Sequence, residues 1–167
     1  LLSLTPMPNR KTDTNHADFI GACYNWPDGD YNTREKLAKM HKSYTLGLVW
    51  FFANDSRVPG NIREEMKLYG LAKDEFTDSQ NFPKQIYVRE ARRMVSDYVM
   101  TEKNYFHETE AEDAVALGTY WLDSHVVSHA IAPSGKLVVE GNFWVSPSST
   151  YAISYRAIVP SENECTN

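Results

Sequence analysis

The side-chain period of this chain changes once, and that change restricts the folds open to it. Before Gly118 the apolar residues recur at spacings of three and four; after it they alternate in runs parted by Pro133-Ser134-Gly135 and Pro147-Ser148-Ser149. Leu37, Met40, Tyr44, Leu48 and Phe51 form one helical stripe, which predicts a helix from about Thr33 to Ala53, capped by Asn32 or Thr33. Its last two turns are apolar all round and require enclosure. Asp55 to Val58 reads as a turn, and Pro59 opens a shorter helix from Gly60 to Tyr69 that Gly70 stops. Thr109 with Glu112 forms a capping-box pattern for another short helix, to about Leu117. Thr119–Ile131, Lys136–Val145 and Tyr151–Val159 read as strands. Helices first and strands later imply an α+β fold, with N-terminal helices packed on a C-terminal antiparallel sheet. The 167 residues suit a single domain. Residues 1–32, interrupted by Pro6, Pro8, Gly21, Pro27 and Gly29, read as mainly loop.

Composition narrows the function by exclusion. Acidic residues outnumber basic ones 22 to 17, and no basic run is longer than Arg92-Arg93, so neither nucleic acid nor an anionic membrane is an expected partner. No apolar run reaches membrane-spanning length. Cys23 and Cys165 lie near opposite ends without the spacing of a zinc site or a disulfide framework. The start at Leu1-Leu2-Ser3-Leu4, without methionine, reads as a cut.

The densest functional signal is Phe82-Pro83-Lys84-Gln85-Ile86-Tyr87-Val88-Arg89-Glu90-Ala91-Arg92-Arg93-Met94. Read as a helix from Lys84 to Thr101, it places Val88, Val95 and Val99 on one buried stripe with Arg92 at its edge. An arginine there needs a carboxylate, a carbonyl or a ligand oxygen, because an unpaired buried charge is costly. A structural ion pair, such as Arg93 with Asp97 four residues on, is the plainer account. Asp123-Ser124-His125 cannot form a triad within one strand, since successive side chains alternate in direction. His125 and His129 would share a face roughly 13 Å apart, too far to hold one metal, so no metal site is expected. One imidazole in a polar cleft, with Asp123 nearby, remains a candidate acid–base group. Tyr155-Arg156 pairs an aromatic with a cation on a strand, where a structural pair is the default. The stretch from Glu108 to Asp113 reads as a solvated helix start. Trp26, Trp121 and Trp144 could instead serve as stacking surfaces of a non-catalytic carbohydrate-binding module, although such aromatics more often pin loops to a core.

The chain has no Gly-x-Gly-x-x-Gly, no phosphate-binding Gly-x-x-x-x-Gly-Lys loop and no nucleophile elbow. Even so, Lys73–Asp78, Phe82–Met94, Leu122-Asp123-Ser124-His125 and Tyr151–Pro160 occur in an order that resembles the interior of bacterial FAD-dependent oxidoreductases, some of which carry a xanthan lyase label. The resemblance runs from about Arg10 to the end. It implies that residues 1–167 are the substrate or cap domain excised from a larger flavoprotein, partnered by the FAD-binding domain of the same polypeptide. FAD would belong to the full-length protein, with none expected on the segment itself, which would be inactive alone. The resemblance further implies that Arg89, Arg92, Asp123, His125, Tyr155 and Arg156 face or structure the interdomain cleft, without giving any of them an individual role. On their chemistry, Arg89, Arg92, Tyr155 and Arg156 are candidates to bind a small or sugar-like substrate, and His125 and Asp123 are candidate acid–base groups.

Overall fold

A computed structural model describes residues 3–15, 17–88 and 92–165. It falls into two compact units, residues 1–91 and 92–167. The mixture of helices with antiparallel strands makes the chain α+β.

The first unit is organised by one long helix, α1 (Tyr31–Asn54). The sequence places it correctly to within two residues, but the N-cap is Asp30, whose carboxylate accepts the Thr33 N–H at 2.7 Å. The preceding loop is held against the helix. Arg34 donates to the carbonyls of Trp26 and Pro27 at 3.0 and 2.9 Å, and Phe19 stacks on Tyr44 at 4.2 Å between ring centroids. Helix α2 (Gly60–Met66) packs back on α1, and Ala53, Val58 and Met66 are buried. It does not enclose the whole apolar end, for Trp50 stays exposed.

Residues expected as loop instead supply a hairpin, β1 (Ser3–Met7) paired antiparallel with β2 (Lys11–Asn15). Pro6 sits within β1 opposite Thr12. A strand with only one neighbour tolerates a proline, because the missing N–H can face away from the ladder.

The described residues of the predicted arginine helix, 84–88 in the first unit and 92–101 in the second, are not helical, and Val95 and Val99 are exposed rather than buried. The reason lies in where the backbone bonds go. The Val95 carbonyl, which a helix would bond to residue 99, accepts the Ser161 N–H at 3.0 Å.

The short helix forms earlier than its capping pattern suggests. It is α3 (Glu102–Tyr105), where Asn104 Oδ1 accepts the Thr101 N–H at 3.0 Å. The alanine- and leucine-containing run after it becomes β3 (Ala114–Gly118), an outcome in which strand pairing overrides helix propensity. Its partner is β6 (Tyr151–Ser154), with Leu117 opposite Ala152. The remaining ladder is the long hairpin of β4 (Leu122–Ile131) and β5 (Leu137–Val145), both close to their predicted bounds. The third predicted strand stops at Ser154, and Tyr155–Ala157 turn as a 3-10 helix.

Candidate functional site

In the second unit an ion-pair cluster is built around Asp113, in the turn before β3. Its carboxylate accepts Arg156 Nε at 2.9 Å and Nη2 at 3.3 Å, together with the Arg156 backbone N–H at 3.0 Å. Ser154, fully buried, donates its hydroxyl to the same carboxylate at 2.8 Å. The Arg156 side chain, followed by its backbone N–H, holds the Asp113 carboxyl far below the usual carboxylate range. The guanidinium also lies over the Tyr98 ring, 5.4 Å from its centroid. Arg156, a candidate for substrate binding, is therefore engaged within its own unit. Tyr155 beside it is exposed.

Asp123 and His125 lie near the start of β4. Asp123 stands opposite Trp144, and its Oδ2 accepts the Tyr120 hydroxyl at 3.2 Å. His125 falls where the ladder breaks. Gly141, which pairs with the neighbouring Val126, and Asn142 both take left-handed backbone angles, with φ of 86° and 62°, and the register shifts between Val126 and Ser128. Strict alternation cannot be carried across this irregularity to His129, so the sequence argument for a shared histidine face does not hold. Gly141 is required here twice over. Its φ disfavours a side chain, and a Cβ would collide with the His125 carbonyl oxygen. Nothing in the sequence marked it, because an isolated glycine within a strand has several meanings.

Arg92 is exposed, and Arg89 lies outside the described residues. Trp121 and Trp144 are exposed in the second unit, whereas Trp26 is half-buried in the first under Arg34. Two further clusters escaped the sequence reading. In the first unit, Cys23 Sγ lies 3.1 Å from His41 Nε2, while His41 Nδ1 lies 2.8 Å from the Leu37 carbonyl and must donate to it. In the second unit, His107 lies between Glu110 and Ser149. Both imidazoles meet partners remote in sequence, and no short motif could have signalled them. Among the described residues, no cluster of three His, Cys, Asp or Glu could hold a metal ion, and no helix is long and apolar enough to cross a membrane.

Residues 2–167 match the FAD dependent oxidoreductase family, and the chain belongs to it. No curated protein and no solved structure matches the chain significantly. The family membership agrees with the resemblance seen in the sequence; the match carries no xanthan lyase label and gives no support to a carbohydrate-binding reading.

The described residues offer no glycine-rich strand-to-helix cradle for the pyrophosphate of a flavin dinucleotide. A dinucleotide pyrophosphate needs a glycine-rich turn between a parallel strand and a helix N-terminus. All described strand pairs are antiparallel, and the N-terminus of α1 already holds the carboxylate of Asp30, which would repel a phosphate.

Proposed function

We propose that this chain is the substrate-side portion of an FAD-dependent oxidoreductase, binding and orienting the molecule to be oxidised while sequence outside it holds the flavin. One observation carries the reading: the chain matches the family throughout, yet its described residues offer the pyrophosphate no cradle. The exposed surface supports it. Two compact bodies of half this mass would together expose about 10,000 Å², whereas the chain exposes 12707 Å². Leu137, Val139, Phe143 and Trp144 of the β4–β5 hairpin are among the uncovered apolar residues. That surplus suits a body covered by further polypeptide.

In this reading Asp123 and His125 act on the substrate, His125 as proton acceptor. Arg92 and Tyr155 help to bind a hydroxyl- or carboxylate-bearing molecule, and Arg89 joins them on sequence grounds. Arg156 contributes from its clamp with Asp113, keeping the end of β6 in place beneath Tyr155.

Titration of the purified chain with FAD, followed by flavin fluorescence, tests the division of labour. No saturable binding is expected, and tight binding would refute it. In the full-length flavoprotein, His125→Ala is expected to lower turnover at least 100-fold with flavin content unchanged, the size of a lost general base. Loss of flavin instead would assign His125 to cofactor binding.

A further inference from the structure

We infer that Ser149, His107 and Glu110 form a serine nucleophile system able to take an acyl group from an ester, an activity separate from the oxidoreductase reading. Ser149 Oγ lies 2.8 Å from His107 Nε2, and His107 Nδ1 lies 2.7 Å from Glu110 Oε1. A carboxylate oxygen can only accept, so Nδ1 carries a proton, and in the neutral imidazole Nε2 then presents its lone pair to the serine hydroxyl. This is the order of contacts that activates a serine: nucleophile, base and orienting carboxylate, recognised by geometry rather than sequence order.

The frame around these residues holds them in register. His107 sits in the left-handed region with φ of 60°, a conformation that costs a non-glycine residue energy and persists only where its surroundings enforce it. The enforcement comes from Asn104, 3% exposed, whose amide donates to the Thr109 carbonyl at 3.1 Å and so closes the turn that carries His107. Tyr105 fixes the other side. Its hydroxyl donates to the Val145 carbonyl, four residues before Ser149, and its ring packs 5.2 Å from that of Tyr151, two residues after. One buried tyrosine therefore ties the turn bearing the base to the loop bearing the nucleophile. Ser149 itself is exposed and open to a substrate.

The chemistry balances without any redox partner. Ser149 Oγ bonds to the ester carbonyl carbon while its proton passes to His107 Nε2. The ester C–O bond then breaks, and the departing alcohol takes that proton. Water repeats the sequence, releasing the carboxylic acid and restoring the serine. Ser149 and His107 are the catalytic residues, and Glu110 is a positioning residue.

The test treats the purified chain with a fluorophosphonate probe and locates the adduct by peptide mass spectrometry, alongside p-nitrophenyl acetate hydrolysis. An adduct on Ser149 is expected, falling at least 100-fold in rate in His107→Ala, the size of a lost general base, and by a smaller factor in Glu110→Gln. Glu110→Asp should restore part of the rate, which a merely packing role would not do. No adduct on wild-type Ser149 overturns the inference whatever the variants do. An equal labelling rate in a His107→Ala protein with unchanged circular dichroism overturns it as well.

Discussion

Among the described residues each unit shows an arginine clamped on an aspartate, and these two clamps do different work. In the first unit Arg57 binds Asp55 through Nε and Nη2, both at 2.9 Å, and through its backbone N–H at 2.9 Å. In the second, Arg156 makes the same three kinds of contact with Asp113. The first pair is two residues apart in the chain and the second is 43 apart. A clamp across two residues closes a turn that the chain would visit often anyway; it ends α1 neatly, with Arg57 also over the Phe51 ring at 5.2 Å. A clamp across a long loop must first overcome the entropy of bringing its ends together, and it then fixes a tertiary arrangement. The same chemistry finishes a helix in one unit and joins β3 to β6 in the other.

The largest test of that difference removes the centre of the second unit. Tyr105→Ala deletes a side chain that is 5% exposed and bonded at both ends of its hydroxyl, at an expected cost of about 3–5 kcal/mol. Hydrogen exchange should show protection lost throughout the second unit, with α1 little changed. Equal loss in α1 would break the description of two separately organised units. Gly141→Ala comes next, at about 3 kcal/mol from left-handed backbone strain and collision with the His125 carbonyl. Its damage should concentrate in β4 and β5, as NMR shifts would report. Ser154→Ala leaves the Asp113 carboxylate one buried donor short, and about 2 kcal/mol is expected by chemical denaturation.

Acid provides the finest comparison. Contacts with Arg57 lower the Asp55 carboxyl to about 2, and contacts with Arg156 carry Asp113 lower still. A depressed carboxyl stabilises the fold above its unfolded pKa of about 3.9, and that contribution disappears as pH falls through the folded value. Both clamps are therefore intact at neutral pH and weaken from about pH 4 downward, with Asp113 releasing last. Asp113→Asn should flatten the dependence of second-unit stability on pH in that window, while Asp55→Asn should alter only the end of α1. Both pairs are partly exposed, so salt should shrink the two effects together.

What the sequence disclosed follows the same division between local and distant partners. The α1 stripe, the turn at Asp55 and the paired runs of β4 and β5 were legible because their signals lie within a dozen residues. The segment from Lys84 to Thr101 was not, since its periodicity fits a helix while the Val95 carbonyl goes to Ser161, 66 residues on. The acidic run before β3 read as a solvated helix start because the value of Asp113 depends on Ser154 and Arg156. Among the candidate site residues, Asp123 and His125 were placed on the strand that holds them, but the break at Gly141 that sets His125 was invisible. The assembly of Ser149 with His107 needed the whole path through Tyr105.

Each described sheet has only two strands, so none of the six strands lies in the interior of a sheet. Each therefore has one edge that is not paired with another described strand. For anyone handling the purified chain, concentration then becomes as important a variable as temperature. Light scattering should rise with protein concentration before any loss of helix appears, and added Lys or Pro substitutions along β5 should suppress it.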